Sequence, residues 1–196
     1  RVKIFESLPT AGLPPMVTNW REFVQLMRTL VAAESIKTIR EIWWDIRPHP
    51  GFGTLEIRIC DGINTLDEIC AITALVQCLA HYLQELYDHG EPLPVLRNWT
   101  LRENKWRAAR FGTDAVIIRN ERGRQGSLSE HIHEWVSILE GPAQELGCAK
   151  DLQGITEILE KKPSYWRQLE FVKSTPSTKD LVLALAKEFR TNTRML

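Results

Sequence analysis

Residues 41–62 read EIWWDIRPHPGFGTLEIRICDG and predict two strands, at about 41–47 and 54–60, joined by a loop rich in proline and glycine. Side chains alternate between the two faces of a strand, so each strand divides into two sets. One face of the predicted hairpin is wholly apolar, with Ile42, Trp44, Ile46, Leu55, Ile57 and Ile59. We expect this face to pack against helices. The other face carries Trp43, Asp45, Arg47, Thr54, Glu56, Arg58 and Cys60.

The polar face allows two interpretations. Many antiparallel sheets leave one face in water, and the charges then need no further role. Against this, Trp43 is costly to expose, and arginine at both basic positions, Arg47 and Arg58, suits bidentate capture of a carboxylate or phosphate. A carboxylate two residues from an arginine can also hold a divalent cation beside an anion, as in nucleotide sites with magnesium. The pattern alone leaves both interpretations open.

Composition narrows the function classes. The chain has 196 residues, with 25 Lys plus Arg and 25 Asp plus Glu, so it lacks the basic excess of a general nucleic-acid binder. Its four cysteines show neither a C-x-x-C pair nor a zinc-type spacing, which favours free thiols in a reducing compartment. Polar residues interrupt the longest apolar run, 69–86, so we expect no membrane span and a cytoplasmic protein.

Helices dominate the rest of the predicted structure. Asn19, Thr65, Thr100 and Ser127 are predicted helix caps, each with a glutamate three residues later. DAVIIRN, at 114–120, is a third strand candidate, and three helices follow residue 150. Without a long linker, the prediction is one α+β domain whose C-terminal part is mostly helical.

Two further groups of polar residues are weaker candidates for a site. Asn104, Arg107 and Arg110 recur at three-residue spacing in ENKWRAAR and so share one helical stripe, although a solvated helix face explains them equally. Arg167 stands near a predicted helix start, where an anion can bind or ordinary helix-start polarity can account for it. The sequence has no Walker A, G-x-G-x-x-G or G-x-S-x-G motif, which argues against P-loop, Rossmann and α/β-hydrolase folds.

Four motifs in order resemble one known family. IWWDIRPHPGFGTLEIRICDG, the preceding RVKIFESLPTAGLPP, and the later ENKWRAARFGTDA and YWRQ are similar to segments of carboxylate–amine ligases of the glutamate–cysteine ligase type 2 family. The resemblance implies a curved antiparallel sheet backed by helices, similar to the glutamine synthetase catalytic domain. It also implies that residues 1–196 are the C-terminal portion of a single ligase catalytic domain, whose N-terminal portion is absent from this chain.

The resemblance further implies an ATP-dependent reaction in the presence of Mg²⁺. In this family ATP phosphorylates a substrate carboxylate to an acyl phosphate, and an amine then displaces the phosphate to form an amide. The implied partners are small molecules, an amino-acid carboxylate such as glutamate and an amine such as cysteine, with a possible homo-oligomer and neither nucleic acid nor membrane. The alternatives are a non-catalytic binding or scaffold fragment that retains the fold, and a helical interaction module whose hairpin charges face bulk water.

Site residues follow from matching positions in the family motifs. Glu56 matches a magnesium ligand, and Arg58 matches an arginine on the transferred phosphate. Arg47 and Arg1 match arginines for a substrate carboxylate or phosphate, and Asp45 is expected to orient Arg47 or assist the metal. The remaining implied nucleotide-binding residues are Asn104, Arg107, Arg110 and Arg167.

Overall fold

The computed structural model describes residues 2–194, so the predicted role of Arg1 lies outside the described residues. Nine α-helices are described: α1 Val2–Phe5, α2 Trp20–Ala32, α3 Leu66–Asp88, α4 Asn98–Phe111, α5 Leu128–Ile138, α6 Glu140–Glu145, α7 Ala149–Glu160, α8 Ser164–Ser174 and α9 Thr178–Thr191. Six short strands are described: β1 Ala11–Gly12, β2 Trp43–Trp44, β3 Ile46–His49, β4 Thr54–Ile57, β5 Val116–Ile118 and β6 Gln125–Ser127. The expectation of an α+β fold with a mostly helical C-terminal part is confirmed.

The described chain divides into two compact units. Residues 2–61 and 98–103 form the first unit, and residues 62–97 and 104–194 form the second. The first contains the hairpin that suggested a functional site, and the second contains most of the helices. The assignment of the whole chain to one catalytic domain stays a prediction.

The expected curved antiparallel sheet is wrong for residues 2–194. The strands there form three separate pairs, in which β1–β2 is parallel and β3–β4 and β5–β6 are antiparallel. Sheet curvature and twist accumulate over several adjacent strands, and none of these pairs gains a third strand within the described range. The described chain therefore supplies a hairpin and two short ribbons rather than a sheet with a concave face.

In the first unit, the core lies between α2 and the start of the hairpin. Four buried apolar residues form it, namely Phe23, Ile36, Ile42 and Trp44, and several half-buried residues of α2 pack around them. Asn19 caps α2 as predicted, because its side chain accepts a hydrogen bond from the backbone amide of Glu22.

The predicted apolar face of the hairpin is only partly buried. Ile42 and Trp44 enter the core, but Ile46, Leu55 and Ile59 are 41%, 56% and 37% exposed. Asp45 interrupts the strand between these two groups: its amide donates to Gly12, the last residue of β1, and its carbonyl accepts from Arg58, just beyond β4. Because β2 and β3 thus pair with different strands, the alternation of buried and exposed side chains does not continue past Asp45. The prediction of one wholly apolar face is therefore wrong after this residue.

In the second unit, the core lies among α3, α5, α6 and α7. Its buried members are Ala71, Ala74, Cys78, Val136, Leu139, Ala143, Leu152 and Ile155. The predicted caps Thr65 and Ser127 are confirmed at the starts of α3 and α5. Thr100, which belongs to the first unit, is not a cap, because α4 already begins at Asn98, two residues earlier; the Thr100 side chain is fully buried.

Helix α3 is long and apolar enough to cross a membrane by length and composition, although the sequence led us to expect no span. One such helix is weak evidence, because the core helix of a water-soluble protein can pass the same test. In this structure α3 places Ala71, Ala74 and Cys78 in the core of the second unit. Of the apolar stretch of α3, 22% is buried inside the structure, so α3 packs against this core with part of its surface.

Candidate functional site

The hairpin of the first unit brings the four predicted polar residues together. Arg47 and Glu56 face each other directly in the β3–β4 ladder. The backbone pairing continues past the strand ends, where the amide of Arg58 donates to the carbonyl of Asp45 at 2.7 Å. The turn between the strands thus brings Arg47 and Glu56 together, although they are 9 residues apart in the sequence.

Arg47 is a buried anchor. Its Nη1 donates to the carbonyl oxygen of Arg40 at 3.0 Å and to that of Ile42 at 2.9 Å. Arg40 lies in a short 3₁₀ helix before β2, and Ile42 follows that helix directly. Its Nη2 donates to Oε2 of Glu56 at 2.5 Å. Only a planar guanidinium can donate in these directions at once, which explains why this position needs arginine rather than lysine.

Glu56 lies between two arginines. Oε2 accepts from Arg47 and Oε1 accepts from Arg58, while 41% of the side chain stays open to solvent. Partial burial raises the pKa of Glu56, but the hydrogen bonds and positive charges of the two arginines outweigh it and hold that pKa below its ordinary value. The result is an ionised carboxylate in a fixed orientation, with lone pairs left over for another ligand.

Arg58 combines an ion pair with an aromatic contact. Its guanidinium carbon lies 4.5 Å from the ring centroid of Trp43, and Phe5 packs against the same indole. This contact accounts for Trp43 on the polar face, because the indole supplies a surface for the arginine. Arg58 and Asp45 also line a small pocket of about 60 Å³.

A second pocket adjoins the first within this unit. It has a volume of about 230 Å³, and it shares Glu6 and Gly12 with the smaller pocket. Two positively charged side chains, Lys3 and Arg102, line this second pocket. Neither Arg102 nor Lys3 was predicted as a site residue, because an exposed basic residue on a helix carries no distinctive sequence pattern.

The described geometry overturns one alternative. A helical interaction module would leave the hairpin charges in bulk water, yet Asp45 and Arg47 are buried. The same burial argues against a simply solvated polar face. What remains is a charged cluster that is organised by the fold.

In the second unit, Asn104 and Arg107 hold strand β5. The side-chain amide of Asn104 donates to the carbonyl of Ile118 and accepts from its backbone amide, both at 2.8 Å. Arg107 donates to the carbonyl of Val116 at 3.0 Å. The predicted spacing therefore does place both side chains on one stripe, and that stripe faces a strand. Nucleotide binding by these residues stays a prediction.

Arg110 and Arg167 occupy contrasting environments. Arg110 is exposed, and its guanidinium carbon lies 5.2 Å from the ring centroid of Phe111. Arg167 is buried and pairs with the buried carboxylate of Glu68 through a 3.0 Å contact. A site role for Arg167 would require breaking this pair, so its assignment to the nucleotide stays a prediction without support from its contacts.

Comparison with known proteins identifies a single family. The family model described as Glutamate-cysteine ligase family 2 (GCS2) matches residues 1–182. Three curated relatives, each provisionally named as a glutamate–cysteine ligase 2, illustrate the similarity. The protein from Frankia alni is 49% identical over 168 residues, which cover 86% of this chain and 44% of the relative.

The other two relatives extend the match along the chain. The protein from Thermobifida fusca is 46% identical over 187 residues, covering 95% of this chain and 47% of the relative. The protein from Clavibacter sepedonicus is 42% identical over 191 residues, covering 97% of this chain and 50% of the relative. The chain thus spans about half the length of the curated relatives that it matches.

Proposed function

Because the chain belongs to glutamate–cysteine ligase family 2, we propose that it carries the phosphate- and metal-binding hairpin of an ATP-dependent carboxylate–amine ligase. In the proposed reaction, the γ-phosphoryl group of ATP passes to a substrate carboxylate and forms an acyl phosphate with release of ADP. An amine then attacks the acyl carbon, and phosphate leaves as the amide forms. The names of the relatives suggest glutamate as the carboxylate and cysteine as the amine.

The observation that carries this proposal is the ion pair between the Glu56 carboxylate and Arg58. A carboxylate beside Arg58, in a hairpin that matches the family model, supplies one potential metal ligand and one phosphate-binding cation, which are two of the groups used in phosphoryl transfer. Arg58 would contact the transferred phosphate, where a fixed positive charge stabilises the developing negative charge on the phosphoryl oxygens. The Trp43 ring supports the orientation of this guanidinium.

The residues present fit Mg²⁺ in a limited way. Mg²⁺ is commonly held by one or two carboxylates together with substrate phosphates and water, and the half-exposed Glu56 can supply one such ligand. Its oxygens already accept from two arginines, so a metal would use their remaining lone pairs. Bound there, Mg²⁺ would neutralise phosphate charge during the transfer.

Arg47 and Asp45 act as positioning residues in this proposal. Arg47 is buried and holds Glu56, so its effect on substrate is exerted through that carboxylate. Asp45 holds the hairpin through its backbone contacts with Gly12 and Arg58. We propose a cytoplasmic location, which suits free thiols and a compartment supplied with ATP.

Binding of Mg-ATP to this chain tests the hairpin directly. Calorimetry should detect binding that weakens by about tenfold or more in Glu56→Gln and in Arg58→Ala, the size expected from losing one charged contact. Glu134→Gln is the matched control, since Glu134 also forms an ion pair with an arginine, Arg119, but lies in the second unit. Equal affinities in all four proteins would overturn the assignment of nucleotide binding to the hairpin.

Turnover is best tested in a protein of the relatives' full length that carries this segment. ADP release should depend on both glutamate and an amine, and Glu56→Gln should abolish it. If Mg-ATP binds through Glu56 and Arg58 but no combination of carboxylate and amine stimulates ADP release, the non-catalytic binding fragment is the correct alternative.

A further inference from the structure

Three potential metal ligands converge on the second unit, away from every residue assigned above. His81 and Glu85 lie one turn apart on α3 and therefore share a face of the helix. Glu145, the last residue of α6, reaches the same point. Nε2 of His81 lies 3.0 Å from Oε2 of Glu145 and 3.7 Å from Oε1 of Glu85.

The charges around this cluster are poorly balanced. Within residues 2–194, no lysine or arginine forms an ion pair with Glu85 or Glu145, and the one basic group beside both carboxylates there is the His81 imidazole. The Nε2 atom of that ring carries at most one proton and can donate a single hydrogen bond. A cation with several coordination positions would satisfy both carboxylates and the ring nitrogen together.

We propose that His81, Glu85 and Glu145 form a binding site for a divalent transition-metal ion, with Zn²⁺ as the expected ion. One imidazole nitrogen with two carboxylate oxygens is a donor set that Zn²⁺ accepts, and it leaves a fourth position for water. With Zn–ligand bonds of about 2.0–2.2 Å, tetrahedral ligands stand about 3.4 Å apart. The observed 3.0 Å and 3.7 Å bracket that separation, and all three ligand atoms lie within 4.8 Å of one another.

The position of the site gives it a structural consequence. His81 and Glu85 belong to α3, and Glu145 ends α6, so one ion would connect two helices of the core. Because the folded protein would bind the ion through ligands that only the fold brings together, binding should stabilise the second unit. The side chains of the three ligands are 33%, 43% and 64% exposed, which leaves a path for the ion to enter.

Titration of the purified chain with Zn²⁺ tests this site, and Co²⁺ provides a spectroscopic signal for tetrahedral nitrogen and oxygen ligands. Relative to the unaltered chain, His81→Ala should lose one equivalent of bound Zn²⁺. Glu145→Gln and Glu85→Gln should each weaken that equivalent by tenfold or more. Saturating Zn²⁺ should raise the melting temperature of the unaltered chain more than that of His81→Ala.

His131→Ala is the matched control. His131 also contacts a glutamate on its own helix, Glu134, at 3.4 Å, but within the described range no third ligand joins this pair. This variant should bind as many equivalents as the unaltered chain. The proposal is overturned if His81→Ala retains the full number of equivalents, or if the chain binds no Zn²⁺ at all. Neither result depends on the proposed ligase activity.

Discussion

Arg47 and Glu56 stand opposite each other across the hairpin, and the Arg47 guanidinium connects the Glu56 carboxylate to the backbone carbonyls of Arg40 and Ile42. One buried side chain thus joins the 3₁₀ segment, strand β3 and the candidate ligand on β4. The position of Glu56 therefore depends on the integrity of the fold around Arg47, as well as on the turn.

Replacing Arg47 should destabilise the first unit. Arg47→Ala removes a donor from three backbone carbonyls and from one oxygen of the Glu56 carboxylate, and we expect a loss of about 2–4 kcal/mol in the free energy of unfolding. Arg47→Lys should recover only part of it, because an ammonium group cannot reproduce the planar fork. Urea denaturation monitored by tryptophan fluorescence measures both, and full recovery by lysine would contradict the anchoring role.

The stability of the first unit should depend on pH through Glu56. Its pKa is lowered in the folded state, so the unfolded chain binds the proton more tightly, and folding gains stability above the ordinary pKa of about 4.5. That contribution is lost as the pH falls from this value through the lower, folded pKa. The difference in unfolding free energy between the unaltered chain and Glu56→Gln should shrink across this range. A difference that stays constant would show that the arginines do not favour the ionised form.

The buried ion pair of the second unit should be sensitive to the loss of one partner. Arg167→Ala leaves Glu68 and Glu188 buried without this cation, and we expect a cost of about 3–5 kcal/mol. Lys161→Ala, which breaks an exposed pair with Glu157, should cost less than about 1 kcal/mol. Chemical denaturation compares the two, and similar small costs would show that Arg194, which also contacts Glu68 at 3.1 Å, is sufficient to neutralise this carboxylate.

Substitutions at two glycines allow the cost of backbone strain to be compared with the cost of steric overlap. Gly112 and Gly90 have φ values of +60° and +69°, where a side chain is disfavoured, but only at Gly112 would an added Cβ meet another group, the ring of Tyr165. Gly90→Ala should cost about 1–2 kcal/mol from strain. Gly112→Ala should cost more, because Tyr165 must move and lose its hydrogen bond from the amide of Thr113. Equal losses of unfolding free energy would indicate that Tyr165 moves freely.

Local sequence patterns predict the structure correctly where one physical rule acts over a few residues. Asn19, Thr65 and Ser127 cap helices as predicted, since a side-chain oxygen can reach an amide of the first turn whatever the rest of the chain does. Thr100 shows the limit of such patterns: its sequence matches a helix cap, but α4 begins two residues earlier and the Thr100 side chain is buried.

The sequence by itself determined the hairpin, because turn chemistry is a local property, and it determined the family, because several motifs match in order along the chain. The tertiary structure decided which of the hairpin residues are buried. Asp45 divides the first strand between two ladders, so Arg47 is enclosed while Leu55 is exposed. It also decided the pairing of Arg167 with Glu68, 99 residues apart, and the meeting of His81 with Glu145. Such contacts depend on how helices pack, which no local period in the chain encodes.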